Sequence, residues 1–245
     1  MELRNRRLVI TGGTSGIGLA LVEQLAPRNR SVILVARNSA RLHKLAQTFP
    51  NLVTYPCDLS QKHEVVRCFT DIAQAYADIS VVINNAAVQF TPEVTDENFS
   101  FDSIETEIAI NLCAPVWITA LMIKPLLALN KPAALVNINS GLAIFPKKSS
   151  AVYSATKAGL RHFSHALSYQ LEATQVGVHN LILPLVDTPM THGRGAQKMT
   201  AQAAATAIIK GIETGQREIY IGKSRWLPLL ARISPGLLAS IMKTL

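Results

Sequence analysis

Short apolar runs rich in β-branched residues alternate with longer stretches whose apolar positions recur at helical spacing, from the amino end to about Tyr220. The runs Arg7 to Thr11, Ser31 to Ala36, Leu52 to Tyr55, Val81 to Asn84, Ala133 to Asn139, Val178 to Leu183 and Glu218 to Ile221 predict strands. The stretches Ile17 to Ala26, Ala40 to Thr48, Lys62 to Tyr76, Ile104 to Leu129, Tyr153 to Ala173 and Ala201 to Ile212 predict helices. Seven strands separated by helices predict an α/β fold, a parallel sheet with helices on both faces. The 104–129 stretch carries Pro115 and Pro125, each without an amide for the helical ladder, so two pieces or one kinked helix are expected there.

No Ser/Pro-rich linker or internal repeat interrupts the pattern, and 245 residues suit one α/β domain, 1–245. With 49% hydrophobic residues the chain is not disordered. Cys57, Cys68 and Cys113 have the spacing of neither a disulfide framework nor a zinc site, so they are read as small buried apolar side chains in a reducing compartment, with no metal. The apolar residues before Thr11 are too few for a secretion signal, and no uninterrupted apolar run approaches the ~18 residues of a spanning helix. A cytoplasmic location is expected. The net charge of +8 is spread along the chain, and alone it does not choose among nucleic acid, acidic lipid and a phosphorylated small molecule. With no basic tract, nucleic acid is not expected as a partner.

Candidate chemistry begins after the first strand, at Thr11-Gly12-Gly13-Thr14-Ser15-Gly16-Ile17-Gly18. Glycines there let the backbone turn tightly and approach a pyrophosphate, which free amides at a helix amino end stabilise. The spacing differs from the commoner G-x-G-x-x-G, and a ligand-free turn is the plainer alternative, but the strand-glycines-helix context favours a dinucleotide. At the end of the second strand, Ala36-Arg37 offers an arginine for a 2′-phosphate where an acidic residue would select the free ribose, so NADP(H) is expected over NAD(H).

Tyr153 and Lys157 stand four apart on one helix face, and an ammonium beside a phenol favours phenolate, making Tyr153 a proton donor and acceptor. Tyr-x-x-x-Lys is common by chance. Here, however, the strand before it ends at Ser140, at the edge where such sheets bind ligands, and a serine hydroxyl can donate to a substrate carbonyl. Asn84 and Asn85 close the fourth strand at the same edge, and Asn111 lies in a helical stretch for which asparagine has modest propensity.

In this order and spacing, TGGTSGIG, NNAA, Asn111, Ser140 and YSATK resemble the short-chain dehydrogenase/reductase family over nearly the whole chain, Leu8 to about Gly222. The resemblance implies a Rossmann-like, doubly wound, seven-stranded parallel sheet. It also implies that Gly12, Thr14, Ser15, Gly16, Ile17 and Gly18 hold the pyrophosphate and that Asp58 and Leu59 contact the adenine. Arg37, Asn85, Ala86, Pro184, Val186 and Thr188 complete the cofactor site, with Thr188 on the carboxamide. Asn111, Ser140, Tyr153 and Lys157 form the implied catalytic set: Tyr153 transfers the proton, Lys157 lowers its pKa and holds the nicotinamide ribose, Ser140 orients the carbonyl, and Asn111 anchors a water. Ala87 and Leu185 depart from the family's usual glycines, crowding the cofactor side and narrowing the nicotinamide pocket. Ser140-Gly141-Leu142-Ala143, Pro146-Lys147-Lys148-Ser149 and the Ile221-Gly222-Lys223 ending resemble a bacterial branch named for an oxidoreductase encoded with the lipoteichoic-acid D-alanylation machinery. A homodimer or homotetramer through the helices carrying Asn111 and Tyr153 is also implied.

The 188–200 segment, with two glycines, His192, Arg194 and Lys198, has no apolar period and reads as a lid. Leu142, Phe145, Leu185 and Met190 are expected to line an apolar substrate pocket. Lys147 and Lys148 at its rim are either solvated or face an acidic group on the substrate. In the 226–245 segment, Leu237, Leu238, Ile241, Met242 and Leu245 share one helical face, expected to pack on the domain or a second subunit in preference to an acidic membrane. The expected function is NADP(H)-dependent hydride transfer to or from a carbonyl or secondary alcohol. A non-enzymatic NADP(H)-binding regulator or redox sensor is the second reading, and would need the glycines and Arg37 but not Tyr153.

Overall fold

A computed structural model describes every residue except Pro92, Asn98 and Leu245, and of Thr244 the backbone alone. Seven strands form one parallel sheet in the order β3-β2-β1-β4-β5-β6-β9: β1 (Arg7–Thr11), β2 (Ser31–Ala36), β3 (Leu52–Pro56), β4 (Ile79–Asn84), β5 (Ala133–Ser140), β6 (Val176–Leu183) and β9 (Glu218–Tyr220). Predicted strand and helix ends fall within three residues of those observed. The order reverses between β1 and β4, so the connections leaving their carboxyl ends run to opposite faces of the sheet and leave a crevice there.

Alternate residues of each strand feed opposite layers. Leu8, Ile10, Leu34 and Val136 pack under α1 (Gly16–Leu25), α2 (Ser39–Thr48) and α7 (Ala201–Glu213), through Leu21, Leu25, Leu42 and Ile208. Val9, Ile33, Val82 and Leu135 pack on the other face against Phe69 and Ile72 of α3 (Lys62–Ala75), Ile118 and Met122 of α5 (Ala114–Ala128), and Leu167 of α6 (Ala151–Gln170). This two-sided burial is why the strands are apolar without alternation.

The expected proline break takes another form. Helix α4 (Phe101–Ile108) runs into α5 through a π-helical turn at Ala109–Cys113, so the irregularity centres on Asn111. Pro115 sits in the first turn of α5, where it cannot donate the amide that the Asn111 carbonyl would accept in a continued α-helix. Pro125 is held inside α5. The whole Phe101–Ala128 run is long and apolar enough to cross a membrane by length and composition, but Ala114, Ile118, Met122 and Leu126 are spent on the core.

The 188–200 segment has order that the sequence did not signal. Two short strands, β7 (Val186–Asp187) and β8 (Met199–Thr200), pair in parallel and tie its ends together. The 226–245 segment makes two helices, α8 (Leu227–Ile233) and α9 (Pro235–Thr244). Its predicted single face is split: Leu238 and Met242 are buried with Leu227 and Ile182, whereas Leu237 and Ile241 are exposed, and Leu245 lies outside the described residues.

Candidate active site

At the carboxyl end of β1 the chain turns through Gly12, whose φ is 71° and where a Cβ would stand 2.7 Å from the Ala86 Cα, so only glycine passes. The Asn85 side-chain amide donates to the Thr11 and Gly12 carbonyls at 3.0 Å each, while the Thr11 hydroxyl accepts from the amides of Asn85 and Ala86 at 3.1 Å. These bonds fix the glycine turn to the end of β4. Helix α1 then starts at Gly16; the Ser15 side chain makes no capping bond, and no acidic residue sits in the first turn. Its first amides, on Gly16, Ile17 and Gly18 at the wall of the crevice beside Thr14 and Ser15, suit a diphosphate.

The crevice is one cleft of about 1520 Å³. At one end stand Arg37, Asp58 and the buried Leu59, with the Arg37 guanidinium 4.0 Å from an Asp58 carboxylate oxygen. That carboxylate is held by the amide and hydroxyl of Ser60 at 2.9 and 2.8 Å. Arg41, one turn into α2, lines the same end, and Asn38 caps that helix by accepting from the Arg41 amide at 2.9 Å. Arg41 went unremarked in the sequence, although its spacing of four from Arg37 was available.

Farther along the cleft are Ser140 from the end of β5 and Tyr153 and Lys157 from α6. The Ser140 hydroxyl accepts from the Leu142 amide at 3.2 Å and shares the cleft wall with the Tyr153 phenol. Burial pushes that phenol well above its ordinary value and Glu107 adds to the rise, while Ser140 and the Arg194 charge oppose it. Lys157 is 3% exposed; burial draws its amine down to about 8, and its Nζ donates to the Ile138 carbonyl at 3.0 Å. The Asn139 side-chain amide donates to the Lys157 backbone carbonyl at 3.1 Å, locking α6 to β5.

Asn111 lies behind the cleft wall and is fully buried. Its Nδ2 donates to the Val88 carbonyl and its Oδ1 accepts from the Val88 amide, both at 2.8 Å. Val88 and Gln89, which line the cleft, are therefore held by the π-helical turn. Pro184, Leu185, Val186 and Thr188 form the facing wall, with Leu142 and Met190. Phe145 does not line the cleft; it packs with Ile182, Leu227, Leu238 and Met242, because α8 and α9 cover it. Lys147 lines the cleft, whereas Lys148 pairs with Glu93 at 2.9 Å.

Two groups carry no local sequence signal. Arg194, in the 188–200 segment, reaches across to Gln89, Nη1 to Oε1 2.6 Å, over a separation of 105 residues. Glu107 is 2% exposed and accepts from the Phe90 amide at 2.7 Å; burial raises its carboxyl pKa.

Comparison with known proteins gives a consistent frame. The model of the short chain dehydrogenase family matches residues 6–199. The uncharacterised oxidoreductase DltE of Bacillus subtilis (strain 168) is 33% identical over 225 residues, which cover 89% of each chain. An uncharacterised oxidoreductase of Staphylococcus epidermidis is 29% identical over 213 residues, 85% of this chain and 91% of that one. Among solved structures, a short chain dehydrogenase from Burkholderia cenocepacia J2315 in complex with NADP is similar with a TM-score of 0.89 at 23% identity, over 100% of both chains. A short chain dehydrogenase/reductase from Burkholderia phymatum in complex with NAD has a TM-score of 0.85 at 18% identity, covering 100% of this chain and 97% of that one.

Proposed function

Because the chain belongs to the short-chain dehydrogenase family, we propose that it is an NADP(H)-dependent oxidoreductase interconverting a carbonyl and a secondary alcohol on an apolar small molecule. The observation that carries this reading is one continuous cleft: an uncapped helix amino end and Arg37 lie at one part of it, Ser140, Tyr153 and Lys157 at another. The donor set fits the cofactor. The amides from Gly16 to Gly18 would take the diphosphate, Arg37 and Arg41 the 2′-phosphate, Asp58 and Leu59 the adenine, and Lys157 and Thr188 the nicotinamide side. When bound, the nicotinamide supplies a hydride to the carbonyl carbon, or removes one from the alcohol.

The chain's own residues manage the oxygen and the proton. A phenol whose pKa is raised by burial keeps its proton at neutral pH, so in the reductive direction Tyr153 Oη delivers it to the substrate oxygen as charge develops there. Ser140 donates to that oxygen and orients it. Lys157, with a pKa of about 8, remains mostly protonated at neutral pH and supplies the positive charge that stabilises the phenolate left behind. Asn111 holds the Val88 loop that walls the site. The same reading carries a homodimer or homotetramer through α5 and α6, where Leu127 and Tyr169 are exposed.

A screen of ketones, aldehydes and secondary alcohols with NADPH, NADP+, NADH and NAD+, followed by nicotinamide absorbance, tests the proposal. Turnover with a preference for the phosphorylated cofactor is expected. Tight NADPH binding with no turnover across the panel would favour the non-enzymatic regulator instead.

A further inference from the structure

We infer that Arg194 is the anion-recognising residue of the substrate site, and that the substrate is an oxo or hydroxy carboxylic acid with an aliphatic tail. This inference rests on the oxidoreductase reading above and names the substrate class for the same site.

Charge along the cleft is the first support. Among the described residues its lining includes Arg37, Arg41, Lys147, Lys157, Arg194, Lys198, Lys223 and Arg225 but a single carboxylate, Asp58, and that one is beside Arg37. Of these cations, Lys157 already donates to the Ile138 carbonyl and Lys198 to the Thr191 carbonyl. Arg194 and Lys223 each make, among the described residues, one side-chain hydrogen bond, to the neutral amides of Gln89 and Gln197, and no ion pair; of the two, Lys223 is exposed and Arg194 half-buried. A guanidinium has five N–H donors in a planar fork, so most of its capacity remains for a carboxylate, which it can take bidentately.

The position of Arg194 is built. Gln89 is fixed in turn by its own donation to the Ser150 hydroxyl at 2.9 Å. Gly193 and Gly195 on either side have φ of 73° and 57°, and a Cβ at Gly195 would stand 2.6 Å from Leu185 Cδ2, so this turn packs directly on the apolar wall. A cation held in place before the ligand arrives loses little entropy on binding it. Arg194 lines the same cleft as Tyr153, and its charge opposes the rise of the Tyr153 pKa. Glu107 senses Arg194 as well, but it is buried and engaged by the Phe90 amide, and it does not line the cleft. Leu142, Leu185, Met190, Leu227 and Met242 provide apolar lining for the tail.

The test titrates 3-hydroxyoctanoate and its methyl ester, by calorimetry, into the full chain loaded with NADP+, as wild type, Arg194→Gln and Arg194→Lys, and follows NADP+ reduction by both compounds. The acid should bind the wild type about tenfold tighter than the ester or more. Arg194→Gln should erase that preference, Arg194→Lys should keep part of it, and NADP+ affinity should be unchanged in both. Equal binding of acid and ester by the wild type, no binding of either, or an equal loss of both in Arg194→Gln overturns the inference. Oxidation of both compounds without preference would overturn it while leaving the oxidoreductase reading intact. Selective binding of the acid with no NADP+ reduction would keep the anion site and count against the reading.

Discussion

The Lys157 amine lies over the Tyr153 ring, 5.7 Å from its centroid, and donates to the Ile138 carbonyl at 3.0 Å. Both side chains are buried at the end of β5, so an ammonium is kept in a poorly solvated position that packing alone would fill with an apolar side chain. Its pKa is about 8 against an ordinary 10.5 because burial disfavours the charge. The fold therefore carries a cost wherever this lysine is protonated, at and below about pH 8. That cost lifts as pH rises from about 8 to 10.5, over which the native state releases the proton before the unfolded chain does.

Replacing Lys157 by Met should accordingly stabilise the protein near neutral pH, by on the order of 2 kcal/mol or several degrees in Tm, while removing turnover. Thermal unfolding of both proteins from neutral to alkaline pH measures this. The difference should shrink toward pH 10.5, and because the Tyr153 phenol weakens both proteins alike in alkali, the difference isolates the lysine. A variant less stable than wild type at neutral pH would refute the assigned cost.

At the other end of the cleft, Arg37→Asp should weaken NADPH by about one to two orders of magnitude, since a charge-assisted contact is exchanged for repulsion, and NADH by much less. Arg41→Ala should show a smaller loss in the same sense. Fluorescence titration of both cofactors provides the comparison, and an equal loss for NADPH and NADH would argue against a 2′-phosphate site.

Glu218 ties α6 to the sheet edge. Burial alone would raise its carboxyl pKa, but hydrogen bonds from Arg161, Tyr220 and His165 outweigh burial and hold it at about 2, with Arg161 at 2.6 and 3.1 Å. A carboxyl with a lowered native pKa contributes stability that is complete above its unfolded value of 4.5 and is lost as pH falls from there toward 2. Glu218→Gln should cost on the order of 2 kcal/mol at neutral pH. Its unfolding curve should converge on that of wild type in acid, and a gap that stays constant across this range would contradict the assignment.

Asn111→Ala removes both bonds to Val88 and leaves the Val88 amide and carbonyl without them, which should cost about 2 kcal/mol. Since the side chain lies behind the cleft wall, its loss should act on kcat by letting the Val88–Gln89 loop shift, about ten- to a hundredfold, with the KM for NADPH nearly constant. Steady-state kinetics separate the two parameters. A raised KM with kcat unchanged would assign Asn111 to cofactor binding.

What the sequence disclosed follows from how each signal is carried. Strands such as Val32–Val35 are buried on both faces, so their composition announces them, and the turn after β1 is confined by Gly12 to a short stretch of chain. Features carried by distant partners were hidden. The Arg194–Gln89 bond spans 105 residues, and β7 and β8 have two residues each, too few for any period. The prolines drew attention to a kink, yet the irregular turn formed around Asn111, whose side chain bonds the Val88 amide and carbonyl and the Thr156 hydroxyl. The division of the carboxyl-terminal face was not legible, because α9 turns Leu238 and Met242 inward and leaves Leu237 outward, an arrangement decided by the pocket around Ile182 and Phe145.

The most direct test of the account is Tyr153→Phe, with NADPH affinity and carbonyl reduction measured on the same preparation. Removing one buried hydroxyl should leave NADPH affinity within about twofold and lower turnover by about two to four orders of magnitude. Turnover equal to wild type, with NADPH still bound, would contradict it.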